Sequence, residues 1–100
     1  MVNRSYLSGY RFERRVIKHL EERGYFVIRS GKSRFPDGIA VKKGLGRSVG
    51  VVIFECKVNK YLSRDEKQKA KEILAKTGVP LTVFYRVGRK LYSYNLVKYK

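Results

Sequence analysis

The chain has 100 residues, 43% of them hydrophobic, which predicts one domain with a small core. Its 24 Lys and Arg against 8 Asp and Glu give a net charge of +16. We therefore expect a polyanionic partner, because a solvated thermophile-type surface would balance its lysines with glutamates. No apolar run approaches the roughly 20 residues of a membrane span, and no apolar signal core opens the chain. A single cysteine, Cys56, excludes an internal disulfide and favours a reducing compartment.

The first predicted element is a helix over residues 8–23. Ser8 is placed to cap its start and Gly24 to end it. Its apolar residues recur at the spacing of one helix face: Phe12, Val16, Ile17 and Leu20. A strand over residues 25–28 follows directly, because this segment consists of aromatic and β-branched residues.

Two further strands are predicted before the next helix. A polar loop over residues 30–34 leads to a short strand over residues 37–41. The segment over residues 49–58 has the strongest strand pattern of the chain. Its middle is apolar on both faces, which is typical of a central strand that is covered on both sides.

The second half of the chain predicts one helix and two strands. The helix opens on a capping box, Ser63-Arg64-Asp65-Glu66, and ends before Gly78. Its buried side is predicted to comprise Ala70, Ile73, Leu74 and Thr77. Strands over residues 79–87 and 91–96 complete the order αβββαββ, which predicts an α/β domain with a mixed sheet of about five strands flanked by helices.

The residues that carry chemistry lie on two of these strands. Glu55 and Lys57 project from one face, whereas Cys56 points to the other, since strand side chains alternate. Asp37 begins the neighbouring strand of the predicted hairpin, which can bring its carboxylate beside Glu55. Polar side chains on a buried strand are costly unless they are paired or bound to a metal. The alternative is that Glu55 and Lys57 simply form an ion pair near a sheet edge.

A hard divalent cation fits these ligands. Mg²⁺ prefers oxygen ligands and keeps several waters, and Asp37, Glu55 and the backbone carbonyl of Cys56 would leave room for those waters. Such an ion lowers the pKa of bound water and polarises a phosphate, while Lys57 would stand beside the attacking water or the developing charge. In so basic a chain, the pattern predicts metal-dependent phosphodiester hydrolysis with nucleic acid as substrate.

Four blocks of the chain occur in a fixed order: Gly9-Tyr10-Arg11-Phe12-Glu13-Arg14, then Gly24-Tyr25-Phe26-Val27-Ile28-Arg29-Ser30, then Asp37, then Phe54-Glu55-Cys56-Lys57-Val58. This arrangement resembles the archaeal Holliday junction resolvases of the PD-(D/E)xK nuclease superfamily over residues 9–96. The resemblance implies a restriction-endonuclease-like core in a single nuclease domain over residues 1–100. It also implies Mg²⁺-dependent cleavage of four-way DNA junctions by a symmetric homodimer, with Mn²⁺ expected to substitute.

The resemblance also assigns roles by position. It implies a catalytic core of Asp37, Glu55 and Lys57. Glu13 would be a further acid of the metal site, and Ser30 would begin a mobile catalytic loop. The implied DNA-binding residues are Arg14, Arg29, Lys32 and Arg34. Gln68 falls on the second helix, where many superfamily members carry a glutamine near the site.

Two other functions stay open at this point. One is a nuclease that acts on duplex, flap or nicked DNA instead of junctions. The other is a nucleic-acid-binding module without activity, although the intact Asp37, Glu55 and Lys57 argue against it. For the strand tyrosines, among them Tyr85, Tyr92, Tyr94 and Tyr99, we favour sheet packing or a partner interface over base stacking. The expected location is the cytoplasm near the nucleoid, or the host cytoplasm for a viral protein.

Overall fold

A computed structural model describes residues 4–31 and 34–96, with side chains in the first helix described from residue 9 onward. The elements are α1 Arg4–Glu22, β1 Phe26–Arg29, β2 Gly38–Lys43, β3 Val49–Lys57, α2 Arg64–Thr77, β4 Leu81–Val87 and β5 Lys90–Leu96. Their order confirms the predicted αβββαββ. The strands form one sheet in the order β1-β2-β3-β4-β5. Strands β3 and β4 run parallel, and the other neighbours are antiparallel, so the predicted mixed sheet is also confirmed.

The core lies in two layers, one on each face of the sheet. On one face, α1 packs onto β2, β3 and β4 through a cluster of buried side chains: Phe12, Val16, Leu20, Ala40, Phe54 and Phe84. On the other face, α2 covers a second cluster: Ile53, Leu62, Ala70, Leu81 and Val83. Strand β3 is therefore the central strand that its two-sided apolar pattern predicts.

The first helix begins earlier than its predicted cap. It starts at Arg4, so Ser8 lies within the helix; the segment from Arg4 to Ser8 contains no glycine or proline that would break it. At the other end, the backbone N–H of Tyr25 donates to the Leu20 carbonyl at 3.1 Å. This bond ties Tyr25 to the helix end, and β1 accordingly begins one residue later than predicted.

The second helix keeps both predicted ends. Ser63 and Glu66 form the capping box, and Gly78 ends the helix with a φ of 72°. Thr77, predicted to be buried, is exposed, and its hydroxyl donates to the Ile73 carbonyl at 2.7 Å. The same hydroxyl accepts the Val79 N–H, and proline at position 80 has no N–H to donate, so β4 begins at Leu81 instead of position 79.

Three of the strand tyrosines pack against one another on β4 and β5. The rings of Tyr85 and Tyr92 stack with centroids 5.5 Å apart, and Tyr94 lies 5.8 Å from Tyr85. The Tyr94 hydroxyl donates to the Lys60 carbonyl at 2.7 Å. These contacts agree with the packing role that we predicted, while Tyr99 lies outside the described residues.

Gly38, the residue after Asp37, lies close to both neighbouring strands, β1 and β3. A Cβ at this position would lie 2.5 Å from the Ile28 carbonyl oxygen and 2.8 Å from the Phe54 ring. The start of β2 therefore needs glycine for space. In the part of the chain that the structure describes, no helix is long and apolar enough to cross a membrane.

Candidate active site

The site lies where β2 begins and β3 ends. Gly38 pairs with Phe54, so continuing this antiparallel register by one residue sets Asp37 opposite Glu55. Asp37 is held there by the backbone, because its Oδ2 accepts the Cys56 N–H at 2.7 Å. The Cys56 side chain packs into the α1 layer, as the strand alternation predicts. Burial raises the pKa of its thiol above the ordinary range, so the thiol stays protonated.

Glu55 is a buried acid with only 6% of its surface exposed. Burial and the nearby charge of Asp37 raise its pKa to about 8. Burial likewise raises the pKa of Asp37, and the charge of Glu13 adds to this effect, although the Cys56 N–H opposes it. Two acids held together in this way favour a shared proton or a bound cation.

Lys57 projects on the same face as Glu55, as predicted. Its Nζ lies 3.4 Å from Glu55 Oε2 and 2.6 Å from Glu66 Oε2. Burial disfavours the charged amine, but these two carboxylates raise the pKa of Lys57 above its ordinary value. Lys57 is therefore a fixed cation at neutral pH.

Glu66 is the site residue that we did not predict from the sequence. One of its oxygens, Oε1, accepts the Ser63 N–H at 2.8 Å, and the other holds Lys57. The capping box thereby joins the start of α2 to Lys57. The sequence did contain an indication of this contact, because the short connection from β3 to α2 brings the start of the helix close to the end of the strand. On α2 it is Glu66, and not the exposed Gln68, that contacts Lys57.

The predicted residues outside the strands surround this centre to different degrees. Glu13 on α1 accepts the Arg29 Nε–H at 2.9 Å, which links helix and strand beside Asp37. The Ser30 N–H donates to the Asp37 carbonyl at 2.8 Å, so the ends of the loop meet at the site. The basic side chains Arg14 and Arg34 are exposed, and Lys32 lies outside the described residues.

The acids present fit a divalent cation. In the described part of the chain, Glu55 Oε1 is the one buried side-chain nitrogen or oxygen without a hydrogen-bond partner. An oxygen of this kind beside a second carboxylate is a suitable ligand for a hard metal ion. Among the same residues, no three histidine, cysteine or acidic side chains converge as a ready-made cluster. The protein ligands would thus be few, as is usual for Mg²⁺.

Comparison with known proteins decides the family. The sequence-family model of the archaeal Holliday junction resolvases (Hjc) matches residues 4–90, a range that includes every predicted site residue. The chain belongs to this family. The Hjc of Methanocaldococcus jannaschii, a crossover junction endodeoxyribonuclease, is 38% identical over 68 residues, or 64% of this chain. The match covers 47% of that relative, so the chain spans about half the length of this Hjc protein.

A solved Hjc structure has the same fold. The Holliday junction resolvase Hjc of Archaeoglobus fulgidus superposes with a TM-score of 0.66 and 27% identity. The superposition covers 88% of this chain and 72% of the Archaeoglobus protein. The Hjc match therefore confirms the predicted nuclease-like α/β fold with its mixed five-stranded sheet.

Proposed function

We propose that this Hjc family member is a structure-selective endonuclease, which resolves four-way DNA junctions by Mg²⁺-dependent phosphodiester hydrolysis as a symmetric dimer. The observation that carries the proposal is the buried carboxyl of Glu55 beside the half-buried Asp37, with the cation Lys57 3.4 Å from Glu55 Oε2. Such a pair is costly in a sheet unless it serves a bound cation. Residues 1–100 would act as one nuclease domain, at the DNA in the cytoplasm.

Asp37, Glu55 and the Cys56 backbone carbonyl would hold the ion, with Glu13 as a further acid on the side of Asp37. The raised pKa of Asp37, to which Glu13 contributes, supports this placement. Mg²⁺ is the expected ion, and Mn²⁺ is expected to replace it. When bound, such an ion polarises the phosphate and lowers the pKa of a coordinated water.

The positively charged side chains of the chain would bind and orient the phosphates at the site. Lys57 remains protonated, so its role is to stabilise negative charge on the phosphate and not to remove a proton. Glu66 holds the lysine from the side of α2. Arg14, Arg29, Lys32 and Arg34 would bind backbone phosphates, with Ser30 at the start of the loop that carries the last two.

The dimer is the second part of the proposal. Beside α2, the same sheet face that carries Glu55 has a set of exposed apolar side chains on β1, β2 and β3: Phe26, Ile28, Ile39, Val49 and Val51. We call this set the apolar sheet face; Phe26 is 72% exposed. Such a surface fits a second copy, because a two-fold interface pairs one patch with itself. The two active sites of the dimer would then be related by a two-fold axis, which matches the near two-fold symmetry of a four-way junction.

Oligomeric state tests the apolar sheet face directly. Phe26→Asp with Ile28→Asp should convert a dimer into a monomer in analytical ultracentrifugation, since each charge would be buried in the interface. Val87→Asp is the matched control, because the 62% exposure of Val87 lies between those of Ile28 and Phe26, but Val87 lies at the end of β4. A double variant that sediments like the Val87→Asp protein would exclude this interface.

Cleavage assays on site variants test the chemistry. Asp37→Ala and Glu55→Ala should abolish Mg²⁺-dependent nicking while junction binding persists, because the phosphate contacts lie elsewhere. Glu72→Ala serves as the control, since this acid is exposed on α2 and its salt bridge among the described residues is the exposed one to Lys76 at 3.1 Å. Nicking by purified Asp37→Ala at the rate of the control would refute the site.

A further inference from the structure

The exposed side of α1 carries four cations at helical spacing. Arg11, Arg14, Arg15 and Lys18 stand at positions i, i+3, i+4 and i+7, which places them on one face. All four are exposed, and the buried residues Phe12, Val16 and Leu20 occupy the opposite face. We call these four residues the basic surface of α1.

This surface lines a cleft of about 510 Å³ next to the end of β1. Arg29 completes the cationic lining, and Glu21 is its single acid. The cleft therefore gathers five positive charges against one negative charge. Like charges at i,i+3 and i,i+4 destabilise a helix, and a bound anion would relieve this repulsion.

The hydrogen bonds of Arg14 and Arg15 leave their charges uncompensated, whereas Arg29 is paired with Glu13. Arg15 donates to the Arg89 carbonyl at 2.6 Å, and Arg14 donates to the Tyr10 hydroxyl at 3.2 Å. Both acceptors are neutral, so they orient a guanidinium without cancelling its charge. Among the described residues, neither Arg11 nor Lys18 forms a salt bridge.

The basic surface is continuous with the proposed active site. Arg29 lines the cleft and also contacts Glu13, whose charge reaches Asp37. From Arg11 to Lys18 the helix rises about 10 Å at 1.5 Å per residue. This length matches about three phosphates of one DNA strand, at about 3.4 Å of helix axis per phosphate.

We propose that the basic surface of α1 binds the backbone phosphates of a DNA strand leading away from the cleavage site, with Arg11, Arg15 and Lys18 as contacts beyond Arg14 and Arg29. The proposal rests on the nuclease function above and extends its substrate surface. The ligand is the phosphate backbone, read without base sequence. The tie between Arg15 and the turn before β5 keeps part of this surface in place.

Salt dependence of binding tests the proposal with charge-matched variants. Arg11→Gln, Arg15→Gln and Lys18→Gln would be combined in one protein. The control combines Lys67→Gln, Lys69→Gln and Lys71→Gln, which removes three exposed charges from α2. Kd for a four-way junction would be measured in EDTA over a range of salt concentrations. For the α1 variant we expect the slope of log Kd against log salt to fall by about 2–3, since each lost phosphate contact removes about 0.9.

Comparing the two variants distinguishes DNA binding by the basic surface of α1 from a general effect of net charge, because both variants lose three positive charges. The α1 variant should bind at least about tenfold more weakly than the α2 control, which is about 1.4 kcal/mol. Equal slopes and affinities for the two variants would overturn the proposal. Because Arg15 also bonds Arg89, the double variant Arg11→Gln with Lys18→Gln is measured too, and its slope should still fall by about 2.

Failure of the nuclease function would look different. The binding assay contains no metal and scores no cleavage, so the basic surface can be confirmed even if the wild-type protein never nicks DNA. Conversely, wild-type cleavage of junctions together with unchanged slopes in the α1 variants would refute only the basic surface. A linear duplex should show the same loss of slope, because backbone contacts do not need a branch point.

Discussion

Replacing Glu55 by glutamine should stabilise the metal-free protein at high pH. Glutamine keeps the shape of the side chain and removes a charge that the fold holds unfavourably. The pKa of Glu55, about 8 against an ordinary 4.5, means that the folded protein retains a proton that the unfolded chain has lost. The contribution of Glu55 to stability therefore falls as pH rises from about 4.5 to about 8.

The magnitude follows from the same values. At about 1.4 kcal/mol for each factor of ten in proton affinity, the ionised Glu55 costs up to about 5 kcal/mol above pH 8. This figure already includes the attraction of Lys57, which lowers the pKa of Glu55. Because Asp37 and Glu55 titrate as a pair, part of this cost is relieved when their protonation adjusts together. We therefore expect Glu55→Gln to raise the free energy of unfolding by about 2–4 kcal/mol near pH 9.

Urea unfolding in EDTA, followed by circular dichroism, measures this gain. The free energy of unfolding of Glu55→Gln should exceed that of the wild type near pH 9. Near pH 5, where Glu55 of the folded wild type is protonated, the two free energies should differ by less than about 1 kcal/mol. Glu72→Gln is the control, since Glu72 is an exposed acid on α2 and should change little at either pH. A Glu55→Gln protein that is less stable than the wild type near pH 9 would refute the reasoning.

Two further predictions concern the surroundings of the site. Gly38→Ala should lower the free energy of unfolding by about 1–3 kcal/mol, because its Cβ would press on the Ile28 carbonyl and the Phe54 ring. Gly50→Ala is its control, since a Cβ there meets side-chain atoms no closer than 3.4 Å; equal urea midpoints for the two variants would contradict the argument. Ser63→Ala and Glu66→Ala both break the capping box and should each cost about 1 kcal/mol of stability. Only Glu66→Ala removes the 2.6 Å contact that holds Lys57 from the side of α2, so it alone should slow nicking, by about tenfold; equal nicking rates for the two variants would mean that Glu66 acts only as a helix cap.

Much of this architecture follows from local patterns in the sequence. The two-sided apolar run before Glu55 identified the central strand, and alternation along that strand placed Glu55 and Lys57 on one face. The capping box at Ser63 fixed the start of α2 for the same local reason. These features depend on neighbours within a few residues, which is why the sequence alone could predict them.

The remaining features depend on how distant segments meet. The contact of Glu66 with Lys57 requires α2 to sit against the end of β3, and the bond from the Cys56 N–H to Asp37 joins residues 19 positions apart. The space restriction at Gly38 comes from β1 and β3 together. The periodicity of apolar residues within one segment cannot predict such contacts between distant segments. Likewise, the uncovered apolar sheet face emerges only once α2 is seen to cover the other half of the sheet.

The central claim is that the site formed by Asp37, Glu55 and Lys57 cleaves branched DNA. One measurement tests it most directly: the nicking rate of the purified wild-type protein on a synthetic four-way junction and on a linear duplex of matched sequence, each with Mg²⁺ and with EDTA. We predict paired nicks near the branch point of the junction, only with Mg²⁺, and at least about tenfold faster than on the duplex. Equal rates on junction and duplex, or no cleavage of either, would contradict the account.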